Sequence, residues 1–66
     1  MFKLKIETFN DAFDQNPHSE IARILELTAS NLEHGRLQVN ETRKLIDING
    51  NSVGSVQWVS LARAEL

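Results

Sequence analysis

The residues able to do chemistry are few and scattered. The histidines are His18 and His34. If both sit on one helix they lie about four and a half turns apart, too far to share a metal within one chain. They read as surface or capping residues. Asp47-x-Asn49-x-Asn51 offers the oxygen donors of the first three positions of a calcium-binding loop. Such a loop needs Gly at its sixth position and Glu at its twelfth. Here Gly50 is fourth and Trp58 is twelfth, so the segment reads as a turn. Ser19, Ser30, Ser52, Ser55 and Ser60 lie in no nucleophile-elbow context. Gly35, Gly50 and Gly54 are too dispersed to form a phosphate-cradling loop. Asp11 and Asp14 sit in an Asn/Asp-rich stretch that uses carboxylates for turn bonding. No enzyme activity and no cofactor are expected.

Composition narrows the classes further. The chain has 66 residues and no cysteine, which removes disulfides, thiolate zinc sites and cysteine nucleophiles. A chain of this size buries only roughly 60% of its unfolded surface, so its stability is marginal. The remaining support is a partner chain, and a homodimer is expected. Nine acidic residues against seven basic ones leave a net charge of -2. Arg43-Lys44 and the Lys3/Lys5 pair neutralise few phosphates, so nucleic acid is not an expected partner. No apolar run reaches the roughly 7–15 residues of a signal peptide or the about 20 of a membrane helix. A soluble, cytoplasmic protein with no membrane partner is expected.

The elements that must position these residues follow from periodicity. Phe2, Leu4 and Ile6 alternate with Lys3, Lys5 and Glu7, the pattern of a half-buried strand over residues 2–8. Residues 9–16 read as a loop pinned to the core by Phe9 and Phe13. Asn16 suits a helix N-cap and Pro17 the first helical position. Ile21, Ile24, Leu25, Thr28 and Leu32 then make one apolar stripe, with Glu20, Arg23, Glu26, Asn31 and Glu33 mostly on the outer face. Gly35 closes the helix as a left-handed cap. Residues 36–42 read as an extended connector. Residues 43–60 read as a hairpin turning at Asn49-Gly50 with a type I′ geometry. Gly54, inside the return strand, marks a bulge or a close backbone approach.

The expected fold is α+β: a β-α-β-β order giving a three-stranded, mostly antiparallel sheet with one helix packed on one face. Two strand orders fit, and the one with the last strand central is preferred because Val56 and Trp58 suit a central strand. One domain spans residues 1–66, with a core over 2–59 and a flexible tail over 60–66.

Three segments carry a resemblance: Asn16-Pro17-x-x-Glu20-Ile21-Ala22-Arg23-Ile24-Leu25, Leu32-Glu33-x-Gly35, and Leu45-x-Asp47-x-Asn49-Gly50-Asn51-x-Val53-Gly54. Together they resemble a family of small, mostly uncharacterised bacteriophage and prophage proteins. The connector at 36–42 and the tail at 59–66 have no counterpart in that pattern. The resemblance implies a viral origin and action in the host cytoplasm; it supplies no catalytic mechanism and no site residues.

What remains is binding. The sheet face away from the helix is the expected interaction surface, formed by Lys3, Lys5 and Glu7 with Ile46 and Ile48. Leu45 and Ile46 are adjacent and point opposite ways, so one of them lies outside the helix-covered side. A covering cluster of Leu37, Val39 and Leu61 over that face is the competing arrangement. The expected function is stoichiometric inhibition of a host bacterial protein, such as an anti-CRISPR or other anti-defence activity. An oligomeric sponge for a nucleotide signal and an accessory structural phage protein are the alternatives.

Overall fold

The computed structural model describes residues 1–60. Its elements are β1 (Phe2–Ile6), a 3-10 turn (Asp11–Phe13), α1 (Pro17–Glu33), β2 (Glu41–Ile46) and β3 (Ser52–Trp58). The sheet order is β1-β3-β2 and both pairings are antiparallel. This is the small α+β fold expected, with the last strand central. The tail expected over 60–66 lies almost wholly outside the described residues.

The helix starts where its cap chemistry dictates. The Asn16 side chain accepts the Ser19 backbone N–H at 3.1 Å, and Pro17 follows at a position that needs no donor. Gly35 ends the helical path at φ 70°, a conformation that glycine adopts without steric cost. Between them the buried line is Glu20, Ile24 and Thr28. This shifts the stripe from the expected one. Leu25 is 44% exposed and Glu20, expected outside, is 7% exposed. The Thr28 hydroxyl is satisfied within the helix by donating to the Ile24 carbonyl at 2.9 Å.

Ile24 of α1 shares one buried cluster with Phe13, Leu37, Leu45, Val53 and Val56. Leu4, Ile6, Ile21 and Leu32 pack against it. Phe13 is fully enclosed, as expected, whereas Phe9 is 88% exposed and pins nothing. The 3-10 turn explains the difference, since it turns Phe13 inward and leaves Phe9 outside on the irregular segment that precedes it. Leu37 enters this same cluster from the connector, and Val39 stays exposed. These two residues therefore build no separate cover for the far side of the sheet. Leu61 lies outside the described residues.

The hairpin departs from the expected two-residue turn. β2 runs from residue 41 to 46, and the loop occupies Asp47–Asn51. Asp47 and Asn51 close it through an N–H to carbonyl bond of 2.9 Å, and the Gly50 N–H returns to the Asp47 carbonyl at 3.0 Å. Gly50 has φ 87°, while Asn49 is not at positive φ. That excludes type I′, which needs both. The Asp47 carboxylate is the reason. It accepts the backbone N–H groups of Asn49 (2.9 Å) and Asn51 (2.8 Å), holding a wider loop closed. Gly50→Val is expected to cost about 1–2 kcal/mol, because a β-branched side chain resists the left-handed region. The urea midpoint checks this, and an unchanged midpoint contradicts the assignment.

A register shift lies between Leu45 and Ile46, where Ile46 pairs with Ser52 and leaves Val53 over. The irregularity lets both Val53 and Val56 reach the core, a spacing that strict alternation forbids.

Candidate interaction surface

The register assigns the two faces of the sheet. Leu4, Val56 and Arg43 form one row, and Ile6, Gly54 and Leu45 the next, on the side of α1. The alternating residues form two rows on the other side: Lys3–Gln57–Thr42 and Lys5–Ser55–Lys44. Lys3, Lys5, Ser55 and Gln57 line one shallow depression there. Three of the chain's seven basic residues therefore converge on one face, open among the described residues, of a protein that is acidic overall. Ser55 and Gln57 on the central strand supply hydroxyl and amide groups between the lysines.

Glu7 follows β1 on the same side as Lys5, and the two side chains meet at 3.6 Å. Both are well exposed, so this pair is weak and sensitive to salt. Among the described residues, Lys3 and Lys44 have no carboxylate within ion-pair distance. Leu45 turns inward and Ile46 outward, which resolves that alternative. Ile46 nevertheless lies at the far edge, beside the groove between α1 and β2. Ile48 is not brought to this face. It sits in the turn beside the start of α1, where its N–H donates to the Glu20 carboxylate at 2.9 Å. The structure thus assembles Lys3, Lys5 and Glu7, keeps Ile46 at the margin and separates Ile48. The centre of the face is polar, without the apolar anchor expected from isoleucines.

Lys44, Thr42, Ser55 and Gln57 are the residues that sequence reasoning did not bring to this surface. A signal existed for Lys44: it lies one residue before Leu45, so an inward Leu45 places it outside. Ser55 and Gln57 follow from the parity of Val56 once that residue is known to be buried.

Arg23 and Arg43, by contrast, are engaged in structure. Arg23 donates to both Glu20 oxygens at 3.0 and 2.8 Å, and to the Ile46 carbonyl at 3.2 Å. The Arg23 hydrogen bond holds the Glu20 carboxyl below its usual pKa against the opposing effect of burial. Arg43 donates to the Glu41 carboxylate at 3.2 Å and to the Arg36 carbonyl at 2.7 Å. The Gln38 N–H, then Arg43, hold Glu41 below its usual pKa. His18 and His34 are both exposed, at opposite ends of α1. No described helix is long and apolar enough to cross a membrane.

Compared with protein-family models, curated proteins and solved structures, the chain shows no match.

Proposed function

We propose that this chain is a phage-encoded binding protein that inhibits a host bacterial protein stoichiometrically, with a component of host defence as the favoured target. The observation that carries the reading is the sheet face, left uncovered by the described residues, on which Lys3, Lys5 and Lys44 surround Ser55 and Gln57. A rigid, polar, positively charged face fits an acidic protein surface, through steering and complementary charge rather than through an apolar anchor. The resemblance to small phage proteins supports the viral setting, and the host cytoplasm is the proposed place of action.

Lys3→Glu combined with Lys5→Glu is expected to lower target affinity at least tenfold. Glu26→Lys combined with Glu33→Lys, on the exposed side of α1, is expected to change it less than twofold. The readout is inhibition of defence in cells expressing each variant, with the thermal melt of each as a folding control. Equal activity of both pairs overturns the assignment of the face. Inhibition at far below one protein per target overturns the stoichiometric reading.

A homodimer belongs to the same reading, since β1 and β2 are edge strands with no further strand paired to them among the described residues. Sedimentation at micromolar concentration is expected to show twice the mass of the chain. A single 7.5 kDa species with a concentration-independent melting temperature overturns it. The nucleotide-sponge alternative needs Arg23, Arg36, Arg43 and Lys44 to converge on an anion. Arg23 and Arg43 are instead occupied by Glu20 and Glu41, which favours the protein target.

A further inference from the structure

Beside the edge of β2, which pairs with no further strand among the described residues, lies an apolar groove of about 180 Å³. Ile24 and Leu45 belong to the buried core beneath it, while Leu27 of α1 and Ile46 of β2 stand 52% and 44% exposed along it. An apolar recess and an unpaired strand edge thus adjoin one another. A strand added to β2 uses both at once. Its backbone bonds to the edge, while alternate side chains turn toward α1 or toward the open face.

We propose that this edge and groove take an extended strand of a partner protein in which apolar and acidic residues alternate. Apolar side chains on one side of that strand enter the groove over Leu45, next to Leu27. Acidic side chains on the other side meet Lys44, which has no carboxylate partner among the described residues and faces a like charge, Lys5, across Ser55. The same charges argue against a second copy as occupant. When two β2 strands pair antiparallel over most of their length, Arg43 or Lys44 of one falls opposite Arg43 or Lys44 of the other, which is destabilising. The site shares Lys44 with the Lys3/Lys5 surface, and shifts at residues 41–46 and Leu27, as against Lys3, Lys5 and Gln57, tell the two apart.

The probe is a blocked hexapeptide of alternating valine and glutamate, titrated into the isotopically labelled chain, with the valine–lysine peptide as comparison. The valine–glutamate peptide is expected to shift the amides of residues 41–46 and the methyl groups of Leu27 and Leu45, with a submillimolar dissociation constant. Lys44→Glu is expected to weaken it about tenfold and to reverse the preference toward the valine–lysine peptide. Leu27→Glu, at an exposed position, is expected to abolish binding without loss of the folded spectrum. Equal binding of both peptides by the parent chain overturns the proposal. So do shifts confined to Lys3, Lys5 and Gln57, or no shift at millimolar peptide. If dilution of the protein alone moves the β2 amides, the edge belongs to a second copy and the proposal falls.

Discussion

Gly54→Ala is expected to remove most of the stability of this protein. Gly54 lies on the central strand, paired with Ile6 on one side and Leu45 on the other. A Cβ placed there would fall 2.8 Å from the Lys5 carbonyl carbon and well inside contact with its oxygen. Both atoms are backbone, so no side-chain rotation relieves the clash. β1 must move away from β3, and Leu4 and Ile6 must leave the core with it. Overpacking of this kind costs about 1–3 kcal/mol or more, against the roughly 3–5 kcal/mol that a core of this size supplies. The expected result is loss of the cooperative urea transition, or a midpoint moved to less than half the parent's. Gly35→Ala is the comparison. Gly35 also has a special backbone, φ 70°, but nothing lies within 4 Å of the added carbon, so it should cost only about 1–2 kcal/mol. Equal stability of the two variants would contradict the close approach of β1 and β3.

Acid is expected to unfold the protein through two buried carboxylates at the end of the sheet nearest the helix N-terminus. Glu20 and Asp47 are 7% and 4% exposed. Burial pushes Asp47 up, but the N–H groups of Asn51 and Asn49, with the side chains of Asn51 and Asn10, bring it below its usual pKa. Glu20 is lowered first by Arg23 and then, against burial, by the Ile48 N–H. Folding therefore binds these two groups in their ionised form. A carboxyl whose folded pKa is depressed contributes stability that is present above its unfolded pKa. That contribution is lost as the pH falls through the folded value. With unfolded values near about 4, stability should be level between about pH 7 and 5 and fall steadily below about pH 4. Glu20→Gln and Asp47→Asn should each lower the melting temperature at pH 7 and make the decline from about pH 5 to 3 shallower. An acid profile that neither substitution alters would show that other carboxyls carry it.

These two carboxylates also show where one-dimensional reading stops. Glu20 in a first helical turn is a reasonable partner for the helix dipole, and nothing local marks it as buried. Its burial follows from the β2–β3 turn arriving beside α1, so that the Ile48 N–H and the Arg23 guanidinium become its donors. Asp47 belongs to a turn that was visible in the residue types. Its carboxylate selects the wider loop, because two backbone donors close enough to reach it outweigh the preference of Asn49-Gly50 for a shorter one.

The sequence by itself determined the elements whose signals are local. Alternation over residues 2–8 marked β1, which ends at Ile6. The Asn16-Pro17 cap and Gly35 set the ends of α1, because capping and left-handed geometry depend only on a residue and its chain neighbours. Gly54 marked the close approach, since only a residue without a Cβ fits there. Tertiary structure alone decided which side of each element is buried. The choice between Leu45 and Ile46 depends on register and on the extra residue at Val53. That between Phe13 and Phe9 depends on how the 3-10 turn meets the core, and the turning of α1 onto Glu20, Ile24 and Thr28 on the β2–β3 turn arriving beside it. The candidate surface is of the same kind. Lys44 lies some forty positions along the chain from Lys3 and Lys5, and the three share a face because β3 inserts between their two strands. A periodic pattern states that faces alternate; the pairing of distant strands settles which residues share one.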